Sequence, residues 1–384
     1  MKLFNEKTKK ALFFIMIIFF VFVIGGIGGV YMEAYLVPRL SAVPFFEKFL
    51  KKASENVTVI NRVEQVTIKE SDSVNEISSG ASISVVNIIS INSENSFAQN
   101  QESKSGTGIL VTSDGVIVTY RDAIIESEAS YIVLLYNEEK YEAKLMGIDN
   151  FTNLAYLKIE ANNLSSIDFA NSNDFRPGNK LVAIGNSFSE YQNRFSAGLL
   201  SNNNKTFNLS GKTVASSEKL EGVFETDFDN QKNYLGGPVI SYGGELVGII
   251  GKVFMDNQDV FFQIPSNMVK ESLELALNGE LEKRPTLGAY YITMTKEYAL
   301  THNMKIDKGA LIYSSSGKNS LAIIDGSVAQ KAGLRINDLI IAVNGENIDL
   351  GNPFSNLLSK HKKGHQVELT VIRNENEIKI PVQL

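Results

Sequence analysis

The hydrophobic and polar positions of this 384-residue chain change rhythm three times. Residues 11–32, ALFFIMIIFFVFVIGGIGGVYM, form one apolar run without a charge. As a helix it would be roughly 33 Å long, enough for a hydrocarbon layer of about 30 Å. Further on, short β-branched runs recur at 82–91, 108–111, 116–119, 131–136, 154–159, 181–184 and 246–250. Turn residues such as Ser-Asp-Gly at 113–115 and Tyr-Gly-Gly at 242–244 separate them, and the polar stretch 93–105 reads as a loop. Such spacing predicts an all-β barrel or sandwich. The rhythm changes again at 265–277, PSNMVKESLELAL, where Met268, Val269, Leu273, Leu275 and Leu277 predict a helix with Ser266 as N-cap. Asn278-Gly279 supplies a stop, and 282–285 a charged linker. Beyond it, strands at 310–313, 339–343, 367–372 and 378–382 alternate with short helices at 328–332 and 354–361, an α+β pattern.

These changes divide the chain into a cytoplasmic N-terminus (1–10), a transmembrane helix (11–34), a juxtamembrane linker (35–63), a β domain (64–280) and a second domain (284–384). Lys2, Lys7, Lys9 and Lys10 precede the apolar run and Glu33 follows it, so the positive-inside bias puts the later domains outside the cytoplasm. A cleaved signal peptide is the alternative. The run exceeds the usual apolar core of such peptides, and Tyr31-Met32-Glu33 lacks the small residues of a cleavage site. Gly25 and Gly29 match a helix-packing spacing that is common in membrane spans. In the linker, FFEKFLKKASENV is amphipathic, its lysines suited to lipid headgroups or to water.

With 43% hydrophobic and 21% charged residues, composition is that of a globular protein. A net charge of -6 offers no basic face for nucleic acid. Absence of cysteine excludes disulfides, thiolate zinc sites and a cysteine nucleophile. Only three histidines occur, His302, His361 and His365, all in the second domain. The last two flank Lys360, Lys362 and Lys363 and read as surface residues rather than metal ligands or a pH sensor. No metal or cofactor is expected.

Three segments of the β domain carry more specific information. The first is GTGILVTSDGVIVTYRDAI at 106–124, the second DNFTNLAYLKI at 149–159, and the third TDFDNQKNYLGGPVI at 226–240. Any one could be a chance turn, but three in this order, 31 residues from position 122 to 153 and 82 from 153 to 235, are not. Together they resemble the HtrA/DegP family of membrane-associated or extracytoplasmic serine proteases, over about 66–384. The resemblance implies a mainly β fold: a trypsin-like double β-barrel followed by an α+β PDZ domain, here behind one N-terminal transmembrane helix. Aligned on that family, the histidine position of the triad holds Asp122, the aspartate position Asn153 and the nucleophile position Leu235.

Leucine has no atom that attacks a carbonyl, and Asp122 is a weak base with no hydroxyl to serve. Asn233 and Lys232 replace a glycine and a proline of the family's nucleophile loop, which puts its donor geometry in doubt. The expectation is that no residue is catalytic and that the chain is an inactive homologue, not an enzyme. A relocated nucleophile, Ser187 or Ser196 with a lysine as base, is the enzymatic alternative. Asp229 would fall near the pocket that selects a substrate side chain in trypsin-like folds, or else is a solvated loop acid beside Asp227.

The second domain keeps Gly326-Ser327, Ala329, Ala332-Gly333-Leu334, Asp338, Ile340 and Val343-Asn344-Gly345 of the family's PDZ pattern, with Val328 for proline and Asn337 for glycine. The resemblance implies peptide binding by strand addition. The carboxylate-binding loop would be Thr286, Leu287, Gly288 and Ala289, and the opposite wall the helix with Leu357 or Leu358, unless those leucines serve only in the core. The implied partners are peptide or protein C-termini, the membrane through the N-terminal helix, and a homotrimer or a hetero-oligomer with an active paralogue. The expected role is a membrane-anchored scaffold, chaperone-like holder or regulatory subunit, with a purely structural envelope protein as a further alternative.

Overall fold

The computed structural model describes residues 6–32, 80–92, 103–126, 129–186, 193–211 and 214–384. The juxtamembrane stretch, most of the loop 93–105 and Ser187 lie outside the described residues. The chain separates into two units, 1–67 and 68–384. In the first, helix α1 (Glu6–Tyr31) carries its large apolar side chains on the outside, Phe22 at 79% exposure.

The second unit opens with six strands: β1 (Val85–Asn92), β2 (Ser103–Leu110), β3 (Val116–Tyr120), β4 (Ala129–Leu134), β5 (Lys140–Asp149) and β6 (Leu154–Ile159). They close into a barrel in the order β1-β2-β3-β6-β5-β4. A second barrel follows, from β7 (Lys180–Asn186), β8 (Asn193–Asn208), β10 (Glu221–Thr226), β11 (Pro238–Ser241), β12 (Leu246–Met255) and β13 (Gln258–Pro265). Its order is β10-β13-β12-β11-β7-β8, and the two-residue strand β9 (Ala215–Ser216) stands outside it.

Burial on both faces explains why the strand signals are continuous apolar runs rather than alternating ones. In the first barrel Val86, Ile88, Leu110, Ile117, Val133 and Leu157 fill the interior. Their neighbours Val85, Ile109, Val118 and Tyr156 point the other way, into a core shared with Val182, Ile184, Ile240 and Ile249 of the second barrel. Helix α2 (Ser266–Leu277) adds Val269 and Leu273 to that shared core. Its N-cap is Pro265, not Ser266. Ser266 begins the helix and donates its hydroxyl to the Ala170 carbonyl at 2.7 Å, a tertiary bond that outweighs the local capping preference.

Strands β14 (Tyr290–Thr293), β15 (Ala310–Ile312), β16 (Leu339–Val343), β17 (Glu346–Asn347), β18 (Gln366–Arg373) and β19 (Asn376–Gln383) form the C-terminal sheet. Short helices α3 (Lys296–Thr301), α4 (Asn319–Ala322), α5 (Val328–Lys331) and α6 (Phe354–Ser359) accompany it. Ala289, Tyr291, Ile312, Ile340, Phe354 and Leu369 are among its core residues. The sheet order is β19-β18-β16-β15-β14-β9, with β17 on β16, so a strand contributed by the barrel region completes it.

The charged linker is a fastening. Arg284 reaches back to the buried Asp149, Nη2 to Oδ2 at 2.9 Å, while its Nη1 bonds Glu271 at 2.9 Å and the guanidinium lies over the Phe151 ring. Asp149 also accepts from Ser272 Oγ at 2.7 Å and from the Phe151 N–H at 3.0 Å.

Candidate functional site: the barrel cleft and the PDZ groove

The three marked segments of the β domain meet in the fold. Asp122 sits half-buried in the single turn 121–123, directly after β3. Asn153 occupies a left-handed turn with φ 59, and its carbonyl accepts the Arg121 N–H at 2.9 Å. Gly236, next to Leu235, has φ 78, and a side chain there would collide with Thr107, Thr119 and Ala123. Glycine is therefore required where the 235 turn presses on the segment that bears Asp122.

Two of these side chains, Asn153 and Leu235, are tied to the scaffold. Asn153 donates from Nδ2 to the Tyr120 hydroxyl at 3.1 Å and accepts at Oδ1 from Lys219 Nζ at 2.8 Å. Burial, then the nearby Arg121 charge, pushes the Lys219 amine down, while burial pushes the Tyr120 phenol up. Leu235 is partly buried and packs on the shared core. Residues 231–234 before it wind into a 3-10 turn, and the Asn233 N–H donates to the Asn230 carbonyl at 2.9 Å. The Gly236 and Gly237 N–H groups are likewise taken, by Ile250 and Tyr234 carbonyls. Ser196 lies mid-ladder in β8 opposite Ala183, and Asp229 is an exposed turn residue.

At the other site, the loop 286–289 aims successive amides at one carboxylate. Leu287 and Gly288 N–H groups donate to Glu218 Oε1 at 3.0 and 2.7 Å. Two donors converging on one oxygen form an anion nest, and Gly288, at φ 78 against Ser327, lets the backbone make the turn. Leu287 and Ala289 bury their side chains in the core of the C-terminal sheet, whereas Thr286 is exposed. Leu357 and Leu358 are both buried in that core; Leu358 also lines, with Thr286 and Ser355, a cavity of about 60 Å³.

The adjoining contacts involve residues that sequence reasoning did not single out. Glu221, 1% exposed, accepts from the Tyr291 hydroxyl at 2.5 Å and from Thr293. Asn356 of α6 brackets its backbone, donating to the Glu221 carbonyl at 2.9 Å and accepting its N–H at 3.1 Å. Burial pushes the Glu221 carboxyl up to about 7 although both hydroxyls favour its ionised form. The stretch ASSEKLEG at 215–222 is polar and aperiodic, so nothing in its pattern marked Glu218 or Glu221 as internal.

Residues 106–249 match the trypsin-like peptidase domain and residues 292–384 the PDZ domain. The order of the two defines the class: a trypsin-fold protease domain carrying a C-terminal PDZ domain. The chain is HtrA/DegP-like. A probable periplasmic serine endoprotease DegP-like of Chlamydia muridarum is 30% identical over 287 residues, 74% of this chain and 54% of that one. The serine protease Do-like HtrA of Bacillus subtilis is 30% identical over 297 residues, 75% of this chain and 65% of that one. This chain thus spans little more than half the length of the Chlamydia relative. Solved structures of the HtrA-type protease AlgW share the fold: with a tripeptide, 23% identity and TM-score 0.64, covering 80% of this chain and 95% of that one; with a decapeptide, 20% identity and TM-score 0.61, covering 80% and 97%.

These relatives correct one expectation. The triad positions led the sequence reading to a chain that is not an enzyme, whereas the relatives are named serine endoproteases and the names point to an active protease. Residue chemistry at three positions describes those positions; it does not exclude a reaction supported from elsewhere in the chain.

Proposed function

We propose that this chain is an HtrA-type protein of the extracytoplasmic space that captures extended peptides by their C-termini on its PDZ domain. The observation that carries the reading is the nest at Leu287 and Gly288, two amides converging on a carboxylate beside the edge of β14. Thr286, Leu287, Gly288 and Ala289 form the carboxylate loop, and Leu358 rather than Leu357 borders the remaining side-chain cavity. Peptide-bound AlgW structures support the same use of the fold.

Serine endoproteolysis is the activity in the relatives' names, and it comes to this chain with a chemical condition: the attacking hydroxyl has to come from a position other than Leu235. An anchor at 11–32 is part of the proposal. It rests on the uncharged run and the lysines before it. Among the described residues no helix is by itself long and apolar enough to cross a membrane.

A serine-reactive phosphonate and unfolded casein test the hydrolytic part. Labelling and cleavage both abolished by one serine substitution would locate the nucleophile. A library of C-terminal peptides tests the binding part, which fails if no peptide with a free carboxylate binds any form of the chain.

A further inference from the structure

The nest at Leu287 and Gly288 already holds a carboxylate of the same chain. Around it, residues 215–218 are laid out as a bound peptide would be. Ala215 and Ser216 pair antiparallel with Tyr291 and Tyr290, adding β9 as the outermost strand of the sheet. One residue on, the Ser217 N–H donates to the Ala289 carbonyl at 3.0 Å, and its hydroxyl accepts the Ala289 N–H at 3.0 Å. Glu218 then turns its carboxylate onto the two amides, with the Ser216 hydroxyl donating to its second oxygen at 3.0 Å. Side chains follow the same register: Ala215 is buried in the PDZ core with Leu357 and Leu358, and Ser217 is 4% exposed.

We infer that residues 215–218 are a built-in occupant of the PDZ groove. A ligand binds by displacing them, and it resembles them: a free C-terminal carboxylate, a small last side chain, and another small one two residues before it. This rests on the proposed peptide binding and adds what closes the groove and what opens it. The chemistry agrees at three points. The Glu218 carboxylate stands where a terminal carboxylate would be held, Ser217 takes the last side-chain position, and Ala215 the third from the end. Only about 60 Å³ remains beside Ser217 and Thr286, so a large last side chain does not fit while the occupant's backbone path is kept. Displacement also has a local consequence, since Lys219, the next residue, is the donor to Asn153.

The test uses the full chain and a fluorescent decapeptide ending in Ala-Ser-Val with a free carboxylate, beside its amidated twin and a twin ending in Phe-Ser-Phe. Wild type should bind the first weakly, Glu218→Ala at least tenfold tighter, and Glu218→Gln in between; the amidated and the phenylalanine peptides should gain little. Because a variant could lose its fold, hydrogen exchange on wild type supplies an independent reading. Saturating peptide should speed exchange at 215–217 and keep 287–289 protected. Equal binding by wild type and Glu218→Ala, or binding that leaves 215–217 protected, would overturn the inference while peptide capture stands. Failure of all forms to bind any peptide would overturn both, making the 215–218 contact a permanent domain interface.

Discussion

Two buried carboxylates fasten the PDZ domain to the barrels, and they are kept in opposite ways. Asp149 meets a guanidinium, two hydroxyls and a backbone N–H, so its charge is compensated on every side. Glu221 is as deeply buried, yet it meets only the Tyr291 and Thr293 hydroxyls, and among the described residues no cation pairs with it. The first arrangement sets the carboxylate against a cation; the second has none, and burial pushes its carboxyl up to about 7. One seam is a rivet, and the other, which carries the groove occupant, is adjustable.

The contrast is most severely tested by removing the rivet. Arg284→Ala leaves the buried Asp149 carboxyl without its partner, which should cost about 3–5 kcal/mol in urea unfolding. Joint replacement, Asp149→Asn with Arg284→Met, should recover most of that. Glu221 should produce the next largest effect. Its carboxyl is raised from 4.5 to about 7 in the folded chain, so its contribution is complete below pH 4.5 and is lost as pH rises to about 7. The loss is of order 3 kcal/mol. Unfolding midpoints measured from pH 4.5 to 8 should fall for wild type more than for Glu221→Gln; parallel curves would contradict the comparison. Asn356→Ala removes the two bonds that bracket the Glu221 backbone, and should cost about 1–2 kcal/mol, with faster hydrogen exchange at residue 221. At the small end, Lys305→Ala breaks an ion pair exposed at 82% and 83% and should leave the midpoint unchanged.

The two seams also differ in how far the sequence announced them. Strands β6 and β16 fall where their apolar runs predict, because burial on both faces leaves a dense signal. Strand β8, NRFSAGLLSNNNKTFN, gave none: mostly polar and exposed, it is held by ladders to β7 and β10 and by side-chain bonds such as Asn204 to Glu225. The loop 286–289 was singled out through family resemblance, and the structure turns two of its amides onto the Glu218 carboxylate. Its occupant was not, because two paired residues and a turning glutamate have no periodicity. Likewise Arg284 looked like part of a charged linker; only the fold brings it 135 residues back to Asp149. Asp122, Asn153 and Leu235 were placed at the triad positions through the resemblance alone, and what they implied for activity was read too far.

Strand β9 has a consequence for how the molecule assembles. Its pairing with β14 joins positions 215 and 291, so the last edge of the C-terminal sheet closes only after the chain has returned across the intervening barrel strands. Such distant pairing forms late and slowly. Until then β14 is an open, hydrogen-bonding edge, the kind of surface on which chains pair with each other instead of with themselves. Residues 284–384 cut out alone would carry that edge permanently, and should self-associate more readily than the intact chain.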